Sequence, residues 1–176
     1  MRWDDVNTQV CSMARTLAIV GDRWTFLIIR DITLGNRRFT SMHKALGITK
    51  HRLTDRLTRL IEHGVVYKQC YDEARQRFEY RLTEKGLDLY PVLTTIVQFG
   101  DKWEADEDGV PLEHVHKACG AVTQPYLACS ECHEPIHARE VRAQLGPGIR
   151  RKLERGETFG IQGRYYPASL EKVKAR

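Results

Sequence analysis

The stretch Phe39–Leu82, FTSMHKALGITKHRLTDRLTRLIEHGVVYKQCYDEARQRFEYRL, changes its hydrophobic period partway and so leaves few ways to fold. From Thr49 to Glu62 the large apolar residues are Leu53, Leu57, Leu60 and Ile61, spaced to line one stripe of a helix. His51, Asp55, Thr58 and Arg59 fall on the opposite face, with Lys50 and Thr54 beside them toward the N-terminal end. Thr49 is the expected N-cap, because its hydroxyl can accept a free backbone N–H of the first turn. Gly47-Ile48 supplies a tight turn from a shorter helix, Thr40 to Leu46. His63-Gly64 ends the longer helix, glycine entering the left-handed C-terminal position with least strain.

After Gly64 the period falls to two. Val65, Val66 and Tyr67, then polar Asp72-Glu73-Ala74-Arg75, then Phe78, Tyr80 and Leu82 predict two strands and a loop. Phe78 and Tyr80 alternate with Glu79 and Arg81, which gives one apolar face. A helix-turn-helix followed directly by a charged-tipped hairpin is a winged helix. Its second helix fits a DNA major groove about 12 Å wide, and its wing lies on the flanking backbone. The plainer alternative is an amphipathic helix packed on a hairpin with a solvated outer face.

Several short words of sequence then converge. Gly21-Asp22-Arg23-Trp24-Thr25, Leu34-Gly35, Arg37-Arg38-Phe39, Leu53-Thr54-Asp55-Arg56-Leu57, Gly64-Val65-Val66 and the run from Tyr80 to Gly86 occur in order. Together they closely resemble the HxlR-type winged-helix transcription regulators, a MarR-like family, over about Cys11 to Trp103. The resemblance implies a homodimer that binds a double-stranded DNA operator and controls transcription. It does not say which genes.

Composition bounds the rest. Hydrophobic content of 41% and three Trp suffice for a packed core, while a net charge of +5 favours nucleic acid without proving it. No stretch approaches the roughly 20 apolar residues of a membrane span, so no membrane partner is expected. The start, MRWDDVNTQ, lacks the apolar run of a signal peptide. Five cysteines, two of them in C-x2-C spacing, point to a reducing compartment, and the cytoplasm is the expected location. No G-x-S-x-G, phosphate loop or paired-carboxylate cluster suggests an enzyme.

The expected fold is mostly α with a small antiparallel hairpin (α+β). A winged helix-turn-helix domain for DNA binding and dimerisation is assigned to residues 1–105 and an acidic linker to 106–113. A C-terminal Cys/His module with a basic tail, resembling a zinc ribbon, takes 114–176. Residues 1–10 read as a polar lead. Met13, Leu17 and Ile19-Val20 mark a short helix ended by Gly21, with Cys11 at its N-terminus, where the partial positive charge favours thiolate. Members of the resembled family often carry a Cys there, and some use it to sense oxidants or electrophiles. The alternative is a small side chain packed at a dimer interface. A helix from Asp22 to Leu34 would bury Trp24, Leu27, Ile28 and Ile32, with Asp22 as its cap.

For DNA, Arg37 and Arg38 precede the helix-turn-helix and are assigned to phosphates. Thr49, Lys50, His51, Thr54 and Asp55 lie along the expected recognition helix. Lys50 can donate to guanine acceptors and Asp55 can accept from cytosine N4. Arg56 and Arg59 are assigned to the backbone or to acidic partners, and Arg75 and Arg77 to the wing, whose tip also holds Asp72 and Glu73. Each has a solvated surface side chain as its alternative. Leu87, Leu89, Val92, Leu93, Ile96 and Phe99 return to helical spacing over 83–105, with Thr83 as cap and Pro91 allowing a kink or restart. So much apolar surface calls for the Met13–Val20 helix of a second subunit.

Six acids against one Lys over 101–113 mark the linker. Beyond it, His116, Cys119, Cys129 and Cys132 are spaced H-x2-C-x9-C-x2-C, the pattern of two turns tied by a structural zinc ion. His114, His133 and His137 compete as nitrogen donors, and reduced thiols without metal are the alternative. A short helix is expected over 137–145, broken by Gly146-Pro147-Gly148. Residues 146–176 carry eight Lys/Arg against three Glu, a tail that can add DNA affinity through counterion release or remain a solvated end. Gly156 to Tyr166 can form a hairpin. Two rival functions remain: a redox- or ligand-responsive sensor acting through Cys11 or the C-terminal module, and a protein-interaction adaptor on a winged-helix scaffold.

Overall fold

The computed structural model describes residues 10–157. The expected N-terminal lead, nearly all of the hairpin over 156–166 and the tail residues Arg164, Lys172, Lys174 and Arg176 lie outside the described residues. The chain divides into two compact units, Met1–Gln124 and Pro125–Arg176. His116 and Cys119 belong to the first, Cys129 and Cys132 to the second.

The first unit is built on α1 (Ser12–Val20), α2 (Thr25–Thr33), α3 (Phe39–Leu46) and α4 (Lys50–Glu62). The hairpin β1 (Val66–Asp72) and β2 (Arg77–Leu82) comes next, then α5 (Glu84–Leu87) and α6 (Tyr90–Trp103). Asp22 starts α2: its carboxylate accepts from the N–H of Trp24 at 2.9 Å and of Thr25 at 3.2 Å. Thr49 caps α4 by accepting from the N–H of Arg52. Gly47 ends α3 at φ +62°, a left-handed turn that a side chain would strain. That turn sets the angle between α3 and α4.

The core is shared by these elements. Ile28, Ile29 and Ile32 of α2 pack with Met42 and Ile48, with Leu53, Leu57 and Leu60 of α4, and with Val65 and Val66, all of them buried. Each such side chain stabilises the fold by about 1.5–3 kcal/mol relative to exposure. Two residues depart from the sequence pattern. Ile61 is 39% exposed: it lies about 40° from Leu57 on the side away from Leu60, at the margin of the stripe, where the packed elements do not cover it. Leu27 is half-buried, while the neighbouring Ile29 takes the core position.

The strands pair antiparallel from Val66↔Leu82 to Asp72↔Arg77, with a bulge between Cys70 and Asp72. The apolar alternation of β2 is incomplete. Tyr80 and Leu82 pack on the core, but Phe78 lies under the Lys68 ammonium at 4.1 Å. The N–H of Tyr80 donates to the Arg37 carbonyl at 2.8 Å, fastening the wing to the segment before α3.

The helical stretch expected over 83–105 is two helices, with the restart at Pro91. Thr83 accepts from the N–H of Gly86 at 3.1 Å and donates to the Gly64 carbonyl at 2.7 Å, which fixes α5 against the base of the wing. Gly86 is buried there, and a Cβ on it would collide with the Val65 carbonyl. The chain then restarts as α6 with Pro91 in its first turn, where a missing N–H costs nothing.

Strands β3 (His114–Val115) and β4 (Val122–Thr123) close this unit as a two-stranded ladder. In the second unit an Ala128↔Pro135 bridge closes a turn, and α7 spans Pro147–Glu154. The helix expected over 137–145 is absent; the chain there makes turns and irregular backbone, and helix begins at Pro147 with Gly146 as its cap. The Gly-Pro pair thus starts a helix and does not break one, proline being well suited to a first helical turn. Among the described residues no helix is long and apolar enough to cross a membrane.

Candidate nucleic-acid interface

Burying Leu53, Leu57 and Leu60 turns the other side of α4 outward. Lys50, His51, Arg52, Thr54, Asp55 and Thr58 are all exposed along it. Thr49 is exposed as well, with its hydroxyl engaged as the cap. The face therefore presents two cations, an imidazole, hydroxyls and one carboxylate at the helix's N-terminal half. Such donors and acceptors suit the edges of base pairs.

The two remaining arginines of α4 are engaged within the protein. Arg56 pairs with Asp22 at 3.5 Å and with Asp55 at 3.7 Å, and only about a quarter of its side chain is exposed. Arg59 donates from Nη2 to the Ala18 carbonyl in the last turn of α1. Both tie α4 to the segment ahead of it.

Ahead of α3, Arg37 lines a cavity of about 220 Å³ with Ile32, Thr33, Tyr67, Arg81, Leu82 and Leu87. Arg38 is exposed and its guanidinium stacks on the Tyr71 ring at 4.5 Å, which joins it to the wing. The segment between them and α2 is held by buried Asp31, which pairs with Arg30 at 2.7 Å and accepts from Asn36 Nδ2 at 2.8 Å. In the wing, Arg75 and Arg77 are exposed, and the N–H of Arg75 donates to Asp72 at 3.1 Å. Arg81 is held further into its charged form by a hydrogen bond from its Nε to Glu79 at 2.6 Å.

Two more cations join this surface that the sequence does not single out, Arg52 and Lys68. Arg52 stands exposed beside His51 in the first turn of α4, and its position one residue past His51 is the available signal. Lys68 is exposed on β1 over Phe78, and the hairpin register that puts it there is not visible in the sequence.

Three further thiols lie in two turns, one in each unit. His116 Nδ1 lies 3.3 Å from Cys119 Sγ at the tip of the β3–β4 ladder. In the other turn, backbone N–H groups of Cys132 and Glu131 and the Cys132 side chain hold the Cys129 thiol below its ordinary range. Among the described residues, no three His, Cys, Asp or Glu side chains are gathered closely enough to hold an ion. Cys11 is an exposed free thiol at the N-cap of α1, and Cys70 is a half-buried strand residue.

Comparison with known proteins gives the same outline. Residues 19–108 match the family model of the HxlR-like helix-turn-helix. An uncharacterised HTH-type transcriptional regulator of Mycobacterium tuberculosis strain H37Rv is 40% identical over 142 residues, covering 81% of this chain and 90% of that one. Another from Bacillus subtilis, YdeP, is 32% identical over 109 residues, 61% of this chain and 84% of its own. Among solved structures, PA1607, described as a proposed transcription factor, superposes with a TM-score of 0.69 at 33% identity. The match covers 78% of this chain and 96% of that one.

Proposed function

This chain belongs to the HxlR-like helix-turn-helix family and is a transcriptional regulator, and from that premise we propose that it works as a homodimer on a palindromic double-stranded operator. In this reading α4 enters the major groove and the wing lies on the adjoining phosphates. The observation that carries it is the division of α4: Leu53, Leu57 and Leu60 are sealed inside while Lys50, His51, Arg52, Thr54 and Asp55 are exposed. Lys50, His51 and Arg52 supply donors for base edges and phosphates. Arg38, Arg75, Arg77 and Lys68 supply charge for the flanking backbone. Arg56 and Arg59 keep α4 in place through the pairs described above. Arg37 acts as part of the wing base.

The dimer is supported by a second bare surface. On α6, Ile96 is 48% exposed and Phe99 and Trp103 are each 64% exposed; on α1, Met13 is 71% exposed. Soluble monomers seldom leave large side chains of this kind grouped on a helix. Two copies burying them would set two recognition helices against half-sites about one turn of DNA apart.

The test is selection from a randomised duplex pool, followed by fluorescence anisotropy on the selected site at two salt concentrations. A palindrome bound about 10³-fold above random DNA is expected. The double variant Lys50→Ala/His51→Ala should lose most of that preference while unfolding at the wild-type temperature. Equal, steeply salt-dependent binding to every duplex would replace this reading with the adaptor.

Redox control through Cys11 is the second reading, favoured by an exposed thiol at the N-cap of the helix that bears Met13. Its thiolate would attack hydrogen peroxide, forming the sulfenic acid and releasing water; one thiol would condense with it to a mixed disulfide, losing water, and a second thiol would release the free Cys11. Operator binding should then fall on oxidation, recover with reductant, and stay constant in Cys11→Ser. An unchanged oxidant response in that variant removes Cys11 from the account.

A further inference from the structure

The cavity at the base of the wing has a composition that contact with DNA does not explain. The guanidinia of Arg37 and Arg81 line it together with Tyr67 and Thr33, and none of its lining residues is acidic. Ile32, Leu82 and Leu87 complete it with apolar surface. All of these residues belong to the first unit. A DNA phosphate would meet the guanidinia and leave the apolar part uncovered.

The two arginines differ in how far they are already satisfied. Arg81 donates from Nε to Glu79 at 2.6 Å, and that bond, with a smaller contribution from Tyr67, holds it in its charged form. Among the described residues no carboxylate pairs with the Arg37 guanidinium. One positive charge is therefore left over, which suits a ligand with one negative charge.

The walls are held by contacts of their own. The Arg37 carbonyl accepts from the N–H of Tyr80 at 2.8 Å, and Asn36 beside it bonds to Asp31 through its backbone and its side-chain amide. At α5, the Thr83 cap and buried Gly86, seated against the Val65 carbonyl, set the position of Leu87. Leu87 is nonetheless 56% exposed, so it keeps apolar area that a ligand can cover. At about 220 Å³ the cavity is smaller than the roughly 300–1,000 Å³ of drug-sized sites, so its occupant is small.

We propose that this cavity binds a small amphipathic monocarboxylate, its head group on Arg37 and Arg81 and its hydrocarbon part against Ile32, Leu82 and Leu87. The forked N–H donors of a guanidinium match the two oxygens of a carboxylate. Arg37 offers its whole fork, and Arg81 the nitrogens beyond the Nε that Glu79 engages. The bound acid bridges the segment ahead of α3 and strand β2, which the bond from Tyr80 to Arg37 already joins.

The test is calorimetric titration of the full-length protein with acetate, butyrate, hexanoate and decanoate, with hexanamide and inorganic phosphate as controls. It needs no DNA, so its outcome is independent of the operator reading. Affinity is expected to rise about threefold per methylene as far as hexanoate and to level off by decanoate, once the cavity is filled. Hexanamide, which keeps the tail without the charge, should bind at least about tenfold more weakly than hexanoate, and phosphate likewise. Arg37→Gln should weaken hexanoate binding at least about tenfold while unfolding at the wild-type temperature, because the contact that anchors this segment is made by its backbone carbonyl. Arg23→Gln, the same loss of charge on an exposed residue ahead of the other end of α2, should leave binding alone. Leu87→Ser should flatten the dependence on chain length. Hexanamide or phosphate binding as well as hexanoate, equal losses in Arg37→Gln and Arg23→Gln, or no saturable binding of hexanoate would each overturn the proposal.

Discussion

Helices α4 and α6 are both amphipathic, yet they spend their faces in opposite ways. Helix α4 hides its apolar side completely, with Leu53, Leu57 and Leu60 at 1% exposure or less, and offers water a mixed polar face. Helix α6 buries Leu93 and Thr94 but leaves Ile96, Phe99 and Trp103 in the open. A finished apolar side means that the outer surface of α4 is free to meet a polar, charged partner such as a nucleic acid. An unfinished one means that α6 still has hydrophobic area to remove from water, which a second protein surface would do. In the dimer proposed above, one helix reads and the other assembles.

The largest expected effect comes from damaging the finished side. Leu57→Ala should lower unfolding free energy by about 2–5 kcal/mol in urea titration, because a cavity opens among α2, α4 and the base of the wing. An unchanged midpoint would mean that α4 is not seated as described. Next is the unfinished side: Phe99→Asp should weaken self-association by about 2 kcal/mol or more, roughly 30-fold or greater, in sedimentation equilibrium. The monomer's stability should change little, since Phe99 is 64% exposed. If Phe99→Asp unfolds the protein while association is unaffected, the contrast between the helices fails. The smallest effect belongs to Ile61→Ala, expected within about 0.5 kcal/mol of wild type because its side chain lies on the exposed flank of α4. A loss as large as that of Leu57→Ala would show the apolar side to be wider than three leucines.

Much of this was legible in the chain. The cap at Thr49, the turn at Gly47 and the change of period after Gly64 are local chemistry, settled by neighbours within a few residues, and they place α3, α4 and the wing. What the sequence hid is non-local. That Ile61 misses the core and Ile29 enters it depends on where α2 and the hairpin stand around α4. The engagement of Arg59 with the Ala18 carbonyl spans two elements, so periodicity alone put it on the solvent face with His51. Gly146-Pro147 is ambiguous for another reason: the same pair can end a helix or begin one, and the residues on its C-terminal side decide. The turns at His116 and Cys129 share a backbone pattern, each first residue donating its N–H to the carbonyl five residues on at 2.9 Å, which spacing suggests but does not specify.

The bond from Arg59 to the last turn of α1 also has a mechanical meaning. It ties α4 to the helix that carries Met13 and Leu17, so the surface proposed to read DNA and a surface proposed to dimerise are joined in one arm. In the dimer proposed above, that arm makes the protein a caliper with a fixed gap. Such an instrument measures the distance between half-sites as strictly as it reads their bases. Inserting half a helical turn of DNA between two intact half-sites should defeat it as thoroughly as changing the bases themselves.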